Sequence, residues 1–258
     1  MNAEINIVKP FKPNELTLIV GLPGIAYIGK LSVDYLIQQL KAELVGEVYS
    51  RYFPPYVIIK EDGLLDLLRN ELHSFRDETG RDIVFLSGNA QAFSPEGQYE
   101  VAEKFLDWAI ENGVKRVYSI AALVTDRQFD VPNVYATATS APLLEEAKVN
   151  DAQVLDHGLI GGENGLIVGI AKKKNVDGFC LLAETHGYQA PTGEYVIDPR
   201  AAKAALNVLI KMLGLRVDME PMAKQAIEMD EAFAKMAEIE HRVREEMAQS
   251  GKKPSYVT

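Results

Sequence analysis

The chain of 258 residues is 47% hydrophobic and 25% charged, a balance that excludes a disordered, collagen-like or low-complexity polymer. With 37 acidic against 27 basic side chains it carries a formal charge of −10, and no basic patch interleaved with aromatics stands out, so nucleic acid is a disfavoured partner. No run reaches the ~20 apolar residues of a membrane helix, the opening MNAEINIVKPFKPNE lacks the pattern of a secretion signal, and the single Cys180 sits in the apolar run GFCLLA as a core thiol would; a cytoplasmic protein is expected.

LTLIV (16–20) is a continuous apolar run, the pattern of a strand covered on both faces. After GLPG a helix is expected over 25–40, with Ile28, Leu31, Tyr35, Leu36 and Leu40 on one side. ELVGEVYS (43–50) and YVIIK (56–60) read as strands separated by Pro54-Pro55, whereas 64–75 is ambiguous between helix and strand. DIVFLSG (82–88) is a further buried strand. Ser94 followed by Pro95 marks a helix start, and Gly113 its stop. Strands follow at 116–123 and 134–139, then a short helix from Pro142, a helix over 162–174 and a strand at 178–184. Asp198-Pro199 repeats the cap-then-proline start of a helix that Gly214 ends, with Ala202, Ala205, Leu206, Leu209 and Leu213 as its buried stripe. Such alternation predicts an α/β domain over 1–217, with a mostly parallel sheet and helices on both faces.

The segment 218–258 differs. Met222, Met229, Met236 and Val243 recur every seven residues, and Ala226, Phe233, Glu240 and Met247 follow four places on. This is a heptad seam with one polar interruption. A helix from Pro221 to about Gln249 would span about 42 Å. It either folds back on the sheet or projects as an antenna that meets a partner helix through Met222, Met229, Phe233, Met236, Val243 and Met247.

Gly24-Ile-Ala-Tyr-Ile-Gly29-Lys30 has the phosphate-loop spacing up to its lysine, but Leu31 stands where Mg²⁺ binding needs Ser or Thr. A tight strand-to-helix turn accounts for these residues better than a nucleotide site. Gly21, Gly24 and Lys30 still lie where a helix N-terminus follows a strand, an anion-binding position. Glu184-Thr185-His186 falls just past a strand end, where open α/β sheets bind ligands, so Glu184 and His186 are the candidate acid/base pair of a small-molecule enzyme, either hydrolase/phosphorylase-like or ligase-like. Arg127 completes this possible ligand pocket, with a surface salt bridge as its alternative role. Gly-x-Ser-x-Gly, His-Glu-x-x-His and Cys-x-x-Cys are absent, and no cofactor or metal is expected.

GLPGIAYIGKLSVDYL, SRYFPPYVI, RNEL, SPEGQYEVAE, GLIGGENGLIVGIA, CLLAETHGY and DPRAAKAAL, in this order over about residues 14–215, resemble the archaeal branch of the proteasome assembly chaperone family. The resemblance implies a phosphorylase/hydrolase-like fold, a homo-oligomer, and a role on the proteasome α-ring rather than a reaction. It also moves 64–75 to strand. Some archaeal members are similar to proteasome activators in carrying a hydrophobic–tyrosine–any tail. Here Tyr256-Val257-Thr258 places the tyrosine one position too early for that motif, which leaves a tail-docking role for these three residues in doubt.

Overall fold

The computed structural model describes the chain except residues 1, 14, 190–192, 194, 230 and 232–258. Its strands and helices, in chain order, are β1 (Ala3–Ile7), β2 (Leu16–Val20), α1 (Ile28–Leu40), β3 (Glu43–Ser50), β4 (Val57–Ile59), β5 (Leu65–Leu67), β6 (Asn70–Arg76), β7 (Asp82–Gly88), α2 (Pro95–Glu111), β8 (Val114–Val124), β9 (Val134–Ala138), α3 (Ala141–Val149), β10 (Gln153–Val154), α4 (Glu163–Lys173), β11 (Asp177–Thr185) and α5 (Pro199–Leu213). Residues 25–27 form a 3-10 turn, and 220–229 are helical. The ambiguous stretch 64–75 is strand, as β5 and most of β6.

Among the described residues, nine strands form one sheet in the order β1-β3-β6-β7-β2-β8-β11-β9-β10. The four central strands, β7, β2, β8 and β11, run parallel, and antiparallel partners extend the sheet on either side. The apolar runs explain this centre. Every residue of β2 is buried, with Ile19 facing the α1/α5 layer and Leu16, Leu18 and Val20 facing α2 and α4. The helices lie on both faces because the sheet needs cover on both. Cys180 is fully buried in the α2/α4 layer, where burial pushes its thiol up to about 11.

The helix starts work as their sequences require. Ser94 Oγ accepts from Gly97 N at 3.1 Å, and Asp198 Oδ1 accepts from the amides of Arg200 and Ala201 at 3.1 Å. Gly214 ends α5 at φ 65°, a conformation glycine adopts without a side-chain clash. Gly21 serves a different need. A Cβ there would lie 2.1 Å from the carbonyl oxygen of Gly29 and 2.5 Å from Val33, so only glycine lets the first turn of α1 close onto the end of β2.

The chain leaves β2 for the α1 face and β7 for the α2 face. That divergence opens a crevice at the carboxyl ends of the central strands. The pair β4–β5 stands outside the main sheet as a two-stranded hairpin of its own.

The helix at 220–229 begins folded back on the body. Met222 is fully buried with α1 and α5 in the chain's own core, Ala226 is buried as well, and the Tyr35 hydroxyl donates to the carbonyl of Asp218. Met222 is therefore a core residue and not part of an exposed oligomer seam. It joins the same core cluster as the α5 stripe of Ala202, Ala205, Leu206, Leu209 and Leu213.

Candidate functional site

The crevice at the strand ends holds a cleft of about 780 Å³. Its floor is the carboxyl end of β8, Ala121 to Val124, with Leu182 of β11. Its walls are the turn after β2, Gln91 after β7, and the glycine-rich loop 157–162 that leads into α4. Tyr27 and Tyr195 also line it, and none of the described residues lining the cleft is Asp, Glu, Lys or Arg. An uncharged, largely apolar lining of this size suits a neutral group better than phosphate.

Three side chains from α4 and the loop after β7 lock these walls together. Asn164 Oδ1 accepts from the Leu22 amide and its Nδ2 donates to the Leu22 carbonyl, both at 3.0 Å. Gln91 Nε2 donates to the Pro23 carbonyl at 2.5 Å, while its Oε1 accepts from the Glu163 amide at 2.8 Å. Glu163 is 1% exposed, and its Oε1 accepts from the Ala92 amide. Its second oxygen is buried without a hydrogen-bond partner, and burial pushes the carboxyl up to about 8 despite the Ala92 amide. On the rim, Ala26 and Tyr27 are consecutive non-glycine residues in the left-handed region, at φ 52° and 54°. Such backbone costs about 1–2 kcal/mol per residue. The Asp198 amide, which donates to the Ala26 carbonyl at 3.0 Å, helps hold it in place.

The residues singled out in the sequence do not gather in this cleft. Gly24 lines it; Gly21, Lys30, Arg127, Glu184 and His186 do not. Gly21 makes the close approach to α1. Lys30 points to a separate small hollow, where its Nζ donates to Asp34 at 2.7 Å. Glu184, 2% exposed, is clasped on two sides: both its oxygens take guanidinium bonds from Arg127, and one also accepts from the Asn133 amide at 2.9 Å. Burial pushes this carboxyl up, but the Arg127 guanidinium and the Asn133 amide outweigh it and hold the group below the usual range. Arg127 thus forms a salt bridge, and its partner is the buried Glu184. His186 instead stacks on Phe129, ring centroids 4.5 Å apart, with Nδ1 3.2 Å from the Thr125 carbonyl. A carboxylate saturated in this way is poorly placed to exchange protons, since its lone pairs already serve the 125–133 loop.

Among the described residues no group of three or more His, Cys, Asp and Glu is arranged to hold a metal, and no helix is long and apolar enough to cross a membrane. Met229, half-buried, is the last seam position described. Phe233, Met236, Val243, Met247, Tyr256, Val257 and Thr258 lie outside the described residues. Gln91, Glu163 and Asn164 escaped the sequence reading as site residues. Their partners lie 68 to 142 positions away, and no local spacing announces such contacts.

Comparison with known proteins gives a consistent picture. Residues 18–237 match the PAC2 family. An uncharacterised protein of Methanocaldococcus jannaschii is 33% identical over 92% of this chain and 89% of its own. The crystal structure of Pyrococcus furiosus PbaB, an archaeal proteasome activator, is similar with a TM-score of 0.83 and 31% identity, covering 92% of this chain and 99% of that one. Pyrococcus furiosus PbaA, an archaeal homologue of proteasome-assembly chaperone, has a TM-score of 0.73 and 27% identity over 95% and 97% of the two chains.

Proposed function

Because the chain belongs to the PAC2 family, we propose that it is a non-enzymatic assembly chaperone, homo-oligomeric and cytoplasmic, whose client is the α-ring of the proteasome. The observation that carries this reading is the near full-length likeness to PbaB and PbaA, the first named as a proteasome activator and the second as a homologue of an assembly chaperone. The state of Glu184 supports it from the other side. A small-molecule enzyme acting through Glu184 and His186 needs a free carboxylate, and Arg127 and Asn133 occupy this one.

The test is to mix the full chain with purified proteasome α-subunits from the same source and follow the products by native mass spectrometry, alongside the rate at which peptidase activity appears. Complexes with α-subunits, or a changed rate of core-particle formation, are the expected result. Free components and an unchanged rate would overturn the proposal.

A further inference from the structure

The cleft at the strand ends is lined unlike the rest of the chain. A quarter of all residues are charged, at 25%, yet no Asp, Glu, Lys or Arg lines it among the described residues. His157, which also lines it, is exposed and engaged with Asp156. Two glycines of the lining have no backbone or packing reason to be glycine. Gly24 is extended at φ −162°, and Gly161 also lies outside the left-handed region. A Cβ would meet nothing within 4 Å at Gly161 and nothing nearer than 3.7 Å at Gly24. Gly29 is different: a Cβ there would lie 2.4 Å from the Ile120 carbonyl oxygen, so close packing accounts for it. At Gly24 and Gly161 the missing side chain leaves open space.

Polar groups converge on the space beside Gly24. A Cβ there would lie 3.7 Å from Asn164 Nδ2, 3.8 Å from Gln91 Nε2 and 3.9 Å from the Leu22 carbonyl oxygen. Each amide nitrogen carries two hydrogens and spends one on a wall, Asn164 on the Leu22 carbonyl and Gln91 on the Pro23 carbonyl. The second hydrogen of each has no acceptor among the described residues. The side-chain oxygens are held by the Leu22 and Glu163 amides, so the donor ends cannot turn away. The Leu22 carbonyl has a second lone pair to offer. Two donors and an acceptor about one point match a carboxamide, whose oxygen accepts and whose N–H donates. Beyond them the lining is apolar, with Leu123 and Leu182 on the floor. Leu159, which lines the cleft from the 157–162 loop, is fully exposed and offers more apolar surface for a bound group to cover.

We infer that this cleft binds an uncharged small molecule in which a carboxamide is joined to an apolar or aromatic ring, the carboxamide beside Gly24 and the ring over Leu123 and Leu182. A carboxylate in that place would set its charge against the Leu22 carbonyl with no cation in the lining, and an ammonium would find two donors and no carboxylate. The volume of about 780 Å³ falls within the roughly 300–1,000 Å³ of small-molecule sites. This inference goes beyond the chaperone reading and does not depend on it.

The experiment is a ligand-detected NMR titration of the full chain with three probes of one shape: 3-phenylpropanamide, 3-phenylpropanoate and 3-phenylpropylamine. The amide is expected to bind about tenfold or more tighter than either charged probe, because each of those leaves a polar group of the site unpaired. Gly24→Ala puts a methyl where the carboxamide sits; it should weaken the amide by about tenfold or more while melting as the wild type does. Gly169→Ala is the control. It lies in α4, exposed and outside the lining, where a Cβ also meets open space, and should bind as the wild type does. No binding of 3-phenylpropanamide at millimolar concentration, equal affinity for the three probes, or undiminished binding by Gly24→Ala would overturn the inference. Equal weakening in Gly24→Ala and Gly169→Ala would overturn it too, since the effect would not then come from the cleft. A wild type that binds the amide as expected but captures no α-subunits would retain this site and sink the chaperone reading alone.

Discussion

Replacing Glu163 by glutamine removes a carboxyl that folding carries into a place with no partner for its second oxygen. In the unfolded chain this group ionises near its ordinary value, whereas in the fold burial pushes it up to about 8. The folded state therefore keeps a proton that the unfolded state has released. Stability is unaffected below the ordinary value, falls as pH rises towards 8, and is level above it. At pH 7 the accumulated cost is about 3 kcal/mol. Glutamine keeps the acceptor for the Ala92 amide and cannot ionise, but it buries an amide group beside no acceptor, at a cost of about 1–2 kcal/mol. Glu163→Gln is then expected to be more stable than wild type by about 1–2 kcal/mol at pH 7. The advantage should grow towards pH 8 and vanish or reverse at pH 5. Urea unfolding of both proteins at a series of pH values measures this directly. A difference that does not change with pH, or a variant less stable than wild type at pH 8, would refute the account of a buried, proton-holding carboxyl.

Arg127→Ala strands the Glu184 carboxylate in a buried position without its cation, so the melting temperature should drop at neutral pH. Adding Glu184→Gln should recover much of the loss, and thermal melts of the single and double variants decide it. In the wild type, the stability this pair contributes should disappear as pH falls through the depressed range of Glu184, which acid unfolding monitored by circular dichroism will show. Gly21→Ala should cost about 1–3 kcal/mol or more because its Cβ meets backbone. Gly24→Ala, whose nearest neighbour would be 3.7 Å away, should unfold like wild type; equal effects at the two sites would contradict the close-approach argument.

The parts of the fold that could be read from sequence are those whose cause is local. Uninterrupted apolar runs give β2, β7 and most of β11, and cap-plus-proline pairs at Ser94 and Asp198 give the starts of α2 and α5. β1 was not legible. AEINI has one buried residue in five and gains its strand character from β3, some forty residues on. The heptad at Met222 left two outcomes open for a related reason: its spacing is helical, but a period cannot say whether the stripe meets a neighbour or, as Met222 does, the chain's own α1/α5 layer. The site followed the same division. Glu184 at a strand end was visible, whereas its pairing with Arg127, 57 positions away, depends on how the 125–133 loop returns over β11.

The outer rim of the sheet beyond β9 has a consequence for how this molecule behaves at high concentration. β10 is only two residues long, Gln153–Val154, and offers too few free backbone donors and acceptors for a foreign strand to zip onto. Growth from that side into ribbons is thereby discouraged, because a newcomer would find backbone partners for no more than a residue or two.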